Sequence, residues 1–169
     1  SLGHAGIAHA INAVATSPCV FTIELSGDIP LTASTTAINN ATAGVSLMIE
    51  GGGYAVDGQD IAGVRPFLVY PDTTVGIDGL TITGGNFVGI GNDGGGLNNN
   101  GDLTLTNSTV SGNSADDEGG GISNFGTMRI EGSTISGNTS GRNGGGIINQ
   151  FGLGDPNQFD LTILNSTIS

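Results

Sequence analysis

A chain of 169 residues with a formal charge of −12, no lysine and only Arg65, Arg129 and Arg142 as cations lacks the positive charge that a phosphate backbone or an anionic membrane surface demands. Nucleic acid and anionic membrane surfaces are therefore not expected as partners, and direct binding of a polyuronate would need bridging Ca²⁺. Cys19 is the only cysteine, which excludes an intrachain disulfide, and no apolar run reaches the roughly 18 residues that suggest a membrane-spanning helix.

In chain order, Leu2, Ile7, Ala10, Ile11 and Val14 follow helical spacing with Pro18 beyond them. This predicts a short amphipathic helix over residues 2–14, in an N-terminal segment 1–18 that caps the open end of a repeat array. There is no charged segment followed by an apolar stretch here, so a leader for export would precede this sequence. Residues 19–169 carry the repeats. Phe21 to Leu25 and Ile29 to Thr32 form a first coil. Leu47 to Asp57 reads as two strands around a glycine corner, and Phe67 to Val69 and Val75 to Ile77 continue the pattern.

The repeat is clearest in the second half. Three glycine triplets begin at Gly94, Gly119 and Gly144, each 25 residues after the last. Each leads into an alternating strand (Leu103 to Leu105, Met128 to Ile130, Leu161 to Ile163) and then a Ser-Thr turn (Asn107 to Ser111, Gly132 to Ser136, Asn165 to Ser169). The last coil carries an insertion near residues 153–160, and the sequence stops in mid-repeat. The 32 glycines therefore recur in register with apolar residues, which marks a repeat fold and not low complexity. The expectation is one all-β domain, a right-handed single-stranded parallel β-helix of about seven coils at roughly 25 residues each.

Period-2 alternation points one residue inward and the next outward. Equivalent positions should stack into apolar ladders: Leu97, Ile122 and Ile147; Ile82, Val110, Ile135 and Ile168; and Val75/Ile77 with Leu103/Leu105, Met128/Ile130 and Leu161/Ile163. Asn99, Asn124 and Asn149 should form a buried amide ladder, and Asn86, Asn113 and Asn138 a second one at a turn.

These Gly-Gly-Gly-Ile-x-Asn and Ser-Thr-Ile-Ser-Gly-Asn repeats resemble those of secreted bacterial β-helix proteins of the pectate-lyase-like superfamily. They are most similar to repeats of polymorphic outer-membrane proteins and autotransporter passengers. The resemblance covers about Phe21 to Ser169 and rests on corner and core residues, so it implies the fold more than an activity. It implies a secreted or cell-surface location.

No assembled catalytic set stands out. Asp57 and Asp78 both precede glycine, and if they stack on adjacent coils they could act as general acid and base. The more ordinary reading is a turn aspartate bonding its own backbone. His4 and His9 lie in the predicted cap, five apart and off a shared face. Asn92-Asp93, Asp117-Glu118 and Arg142-Asn143 occupy one repeated corner. With Asp116, the carboxylates Asp93, Asp117 and Glu118 could offer hard oxygens to Ca²⁺, or Arg142 could pair with Asp117. Thr81 to Thr83 and Thr104 to Thr106 raise ice binding, but Glu131 breaks the pattern in the next coil.

The residues are read first as a non-catalytic structural or adhesive surface module meeting glycans or surface proteins. The alternatives are a polysaccharide lyase or glycoside hydrolase, and a solenoid stacking end to end through its C-terminal coil.

Overall fold

A computed structural model describes residues 18–89, 91, 93–150 and 160–169. The first coil holds β1 (Cys19–Glu24) and β2 (Ile29–Pro30). The second holds β3 (Val45–Glu50), β4 (Ala55–Asp57) and β5 (Phe67–Val69). The third has β6 (Thr74–Asp78), β7 (Thr81–Thr83), β8 (Asn86–Phe87) and β9 (Leu97–Asn99). The fourth has β10 (Asp102–Thr106), β11 (Thr109–Ser111), β12 (Ser114–Ala115) and β13 (Ile122–Asn124). The fifth has β14 (Thr127–Glu131), β15 (Thr134–Ser136), β16 (Thr139–Ser140) and β17 (Ile147–Asn149). A further coil opens with β18 (Leu161–Leu164) and β19 (Thr167–Ile168).

Every named strand pairs in parallel with its equivalent one coil away, making four sheets along the axis. The first sheet is β1-β3-β6-β10-β14-β18 and the second β2-β4-β7-β11-β15-β19. The third is β8-β12-β16 and the fourth β5-β9-β13-β17. Among the described residues the chain is thus an all-β parallel solenoid of about five coils rather than seven. Coil length explains the difference. Register advances by 26 residues from Cys19 to Val45, by 28 from Ser46 to Thr74 and from Thr74 to Asp102, by 25 from Asp102 to Thr127, and by 33 from Met128 to Leu161. The 25-residue period belongs to the regular coils alone. The expected capping helix and most of the 153–160 insertion lie outside the described residues.

The apolar ladders form as alternation predicts. Phe67, Leu97, Ile122 and Ile147 are in register, as are Val56, Ile82, Val110, Ile135 and Ile168. Ile77, Ile82, Leu103, Leu105, Ile122 and Ile130 are fully buried, so the three wide sheets meet in one continuous core. The Ser-Thr turns are shorter than expected. Only Asn107-Ser108 and its equivalents turn, while Thr109 to Ser111 is already strand.

Two amide ladders differ in extent. Asn99 Nδ2 donates to Asn124 Oδ1 and Asn124 Nδ2 to Asn149 Oδ1, both at 2.7 Å. In the second, Asn113 Nδ2 donates to Asn138 Oδ1 at 3.0 Å. Asn86 is not a member, because it pairs with Ser114. The position below Asn113 belongs to Gly85, whose N–H donates to Asn113 Oδ1 at 2.9 Å.

A third ladder escaped sequence reading. Ser108 Oγ accepts from Leu80 N, Ser133 Oγ from Ser108 N, and Ser166 Oγ from Ser133 N, each at 3.1 Å. Each hydroxyl bonds back to a carbonyl two residues upstream, of Thr106, Glu131 and Leu164.

The glycine triplets reflect close approach. The first glycine of each (Gly94, Gly119, Gly144) has φ between 64° and 73°, a region L side chains avoid. At the second, a Cβ on Gly120 would lie 2.0 Å from Thr139 O.

Candidate binding surfaces

Asp57 and Asp78 do not meet. Asp57 ends β4 in the second sheet, in register with Thr83. Asp78 ends β6 in the first sheet, between Glu50 and Thr106. Asp57 Oδ1 accepts from Gln59 N at 2.7 Å, an Asx turn. Asp78 Oδ1 accepts from Thr106 Oγ1 at 2.7 Å and Asn107 Nδ2 at 2.8 Å. The shared Asp-Gly pattern arises at two different corners, so the similarity is one of local turn chemistry and gives no acid–base pair.

The carboxylates of the repeated corner hold the adjoining coils. Asp116 Oδ2 accepts from Gly89 N and Asp117 Oδ2 from Gly91 N, both at 2.8 Å. Asp117 Oδ1 pairs with Arg142 Nη1 at 3.0 Å. Glu118 accepts from Asn143 Nδ2 at 2.6 Å and from Gln150 Nε2, and Asp93 Oδ1 from Glu118 N at 3.2 Å. These oxygens turn toward donors on successive coils. Among the described residues, no group of three or more His, Cys, Asp or Glu is placed to hold a metal ion. His4 and His9 lie outside those residues.

Arg65 is the cation this corner needed and sequence reading passed over. Its Nε donates to Gly94 O at 2.7 Å and Nη2 to Asp93 O at 2.6 Å. Its guanidinium lies 3.6 Å from the centre of the Phe87 ring. Burial draws its pKa down to about 10 against the attraction of Asp93. The Asp93 carboxyl is raised, chiefly by desolvation, and the Glu118 N–H only partly offsets this. The Asp117 carboxyl is lowered, first by the Gly91 N–H and further by Arg142.

Two surfaces have the geometry to receive a ligand. The first is a groove of about 460 Å³ at the corner where the fourth sheet turns into the first. The outward row Thr74, Asp102 and Thr127, in register on three coils, forms its floor. Ala41, Ala43, Pro71, Asp72 and Asn100 also line it. Of the lining side chains, Asn100 is held by bonds from its Nδ2 to Val69 O at 3.2 Å and Asn98 Oδ1 at 2.8 Å. Behind Ala41 and Thr74 the chain neighbours Asn40 and Thr73 are tied by Asn40 N donating to Thr73 Oγ1 at 3.1 Å. Asp72 holds φ at 59°.

The second is the outer face of the second sheet. Thr81, Thr109, Thr134 and Thr167 form one outward column, and Thr83, Ser111 and Ser136 a second. Among the described residues, none of these seven hydroxyls has a hydrogen bond to the protein. The expectation against a regular threonine array compared the wrong strands. Thr104 to Thr106 and Glu131 belong to the first sheet, whereas Thr81 to Thr83 belongs to the second. The readable signal was position after the Ser ladder, in Ser108-Thr109, Ser133-Thr134 and Ser166-Thr167.

No protein-family model matches the chain, and neither a curated protein nor a solved structure does.

Proposed function

We propose that this solenoid is a non-catalytic extracellular or cell-surface module that binds an uncharged glycan in the groove along Thr74, Asp102 and Thr127. The groove carries the reading. Its volume falls within the roughly 300–1,000 Å³ of small-molecule sites. It combines hydroxyl, amide and carboxylate groups, the acceptors and donors that sugar hydroxyls require. An uncharged glycan fits because a chain of −12 repels anionic polymers at long range. A right-handed bacterial β-helix of the pectate-lyase-like kind suits this role. The handedness follows the strong rule for parallel crossovers, and the bacterial, secreted setting follows the repeat resemblance.

Titration calorimetry with neutral and uronate oligosaccharides tests the reading. Binding of a neutral oligosaccharide that is lost in Asp102→Ala and Asp72→Ala supports it. Absence of neutral-sugar binding, or binding unchanged in both variants, overturns it.

Asp72 and Asp102 share one groove, and this favours a second reading as a glycoside hydrolase with paired carboxylates. New reducing ends from the bound oligosaccharide, abolished in Asp102→Asn, would replace the non-catalytic reading.

A further inference from the structure

We infer that the outer face of β7, β11, β15 and β19 is an ice-binding surface, independent of the groove. Its hydroxyls form a lattice. Along the axis Thr81, Thr109, Thr134 and Thr167 repeat once per coil, a spacing of about 4.8 Å. Along each strand the second column, Thr83, Ser111 and Ser136, lies two residues on, about 6.6 Å away. Liquid water and flexible soluble ligands have no fixed two-dimensional repeat to match such a grid. An ice face has one, in which oxygens recur in two set directions.

Five features prepare the grid. The residue between the columns (Ile82, Val110, Ile135) is fully buried, so each pair of hydroxyls is anchored to the core. Threonine is β-branched and restricted at χ1, which limits the entropy lost when its hydroxyl and methyl groups are held against a solid. The serine ladder flanks one side of this sheet and the Asn113–Asn138 pair the other, and such side-chain ladders keep stacked strands flat. The seven positions carry no charge although the chain is at −12, so the face suits a neutral lattice and not a counter-charged partner. The hydroxyls have no protein partner among the described residues, and their bonding capacity remains for the lattice. The array starts at β7, because in the second coil Ala55 and Asp57 occupy the two columns.

Nanolitre osmometry and ice-recrystallisation assays on this chain test the inference, with far-ultraviolet circular dichroism to show that each variant is folded. The expected result is a freezing hysteresis with faceted crystals. Most of it should be lost in Thr134→Tyr, whose ring stands out of the grid, and none in Thr104→Tyr on the first sheet. Thr109→Val keeps shape without the hydroxyl and provides a second folded probe; it should reduce the hysteresis. Absence of hysteresis and of crystal shaping in the parent chain overturns the inference, as does equal activity in folded Thr134→Tyr. Asp102→Ala should leave ice activity intact, so failure of the glycan reading is distinguishable from failure here.

Discussion

Replacing Asn124 by alanine probes the internal ladder at its most committed rung. Asn124 is fully buried. Its Oδ1 accepts from Asn99 Nδ2 at 2.7 Å and weakly from Gly126 N at 3.4 Å, while its Nδ2 donates to Asn149 Oδ1 at 2.7 Å and to Gly126 O at 2.9 Å. Three good bonds at about 1 kcal/mol net each give about 3 kcal/mol, and an unsatisfied Gly126 backbone adds to that. Asn149 at the exposed end of the ladder is the control. Its removal takes one acceptor from Asn124, which keeps Gly126 O, so Asn149→Ala should cost about 1 kcal/mol. Asn99 retains Gly101 O and Thr127 O whichever change is made. Urea unfolding of both variants, compared by midpoint at a common slope, measures the gap. A solenoid transmits damage mainly to neighbouring coils, so amide exchange should also rise first at Phe125 and Gly126. Equal costs within about 0.5 kcal/mol would show that the ladder is not what stabilises this corner.

Gly120→Ala should prevent the regular coil from closing, because its Cβ would meet Thr139 O at 2.0 Å and Gly145 O at 2.6 Å. Gly137→Ala, with φ at 60° and nothing within 4 Å of its Cβ, should cost only about 1–2 kcal/mol; similar melting temperatures for the two would refute the steric account. Arg65→Met should destabilise by about 3 kcal/mol, since it removes two hydrogen bonds and a cation–π contact from a buried position, as thermal unfolding can check.

Asp93 and Asp117 should respond to pH with opposite signs. The raised Asp93 carboxyl opposes folding when charged, so Asp93→Asn should be more stable than the parent at pH 7. That advantage should vanish as pH falls through the raised pKa toward the ordinary value of about 3.9. The lowered Asp117 carboxylate favours folding above its ordinary pKa. Asp117→Asn should therefore be less stable at pH 7, and its deficit should close only as pH falls through the lowered value. Melting curves from pH 7 to pH 2 with the same sign for both variants would contradict these assignments.

The repeat alone determined the solenoid, because an inward Leu97, Ile122 and Ile147 at equal intervals can bury themselves only by stacking. It also determined the Asn99–Asn124–Asn149 ladder, whose members share one place after the glycine triplet. Coil number needed the tertiary structure, since the early coils are longer than the period read from the regular ones. Register across corners did too. A one-residue offset removed Asn86 from its ladder, and similar Thr-x-Thr and Asp-Gly strings proved to lie on different sheets. Spacing along a chain specifies which residues alternate, but only the corner geometry decides which sheet a strand joins. The groove and the hydroxyl grid are products of neighbouring coils, and no single repeat contains either.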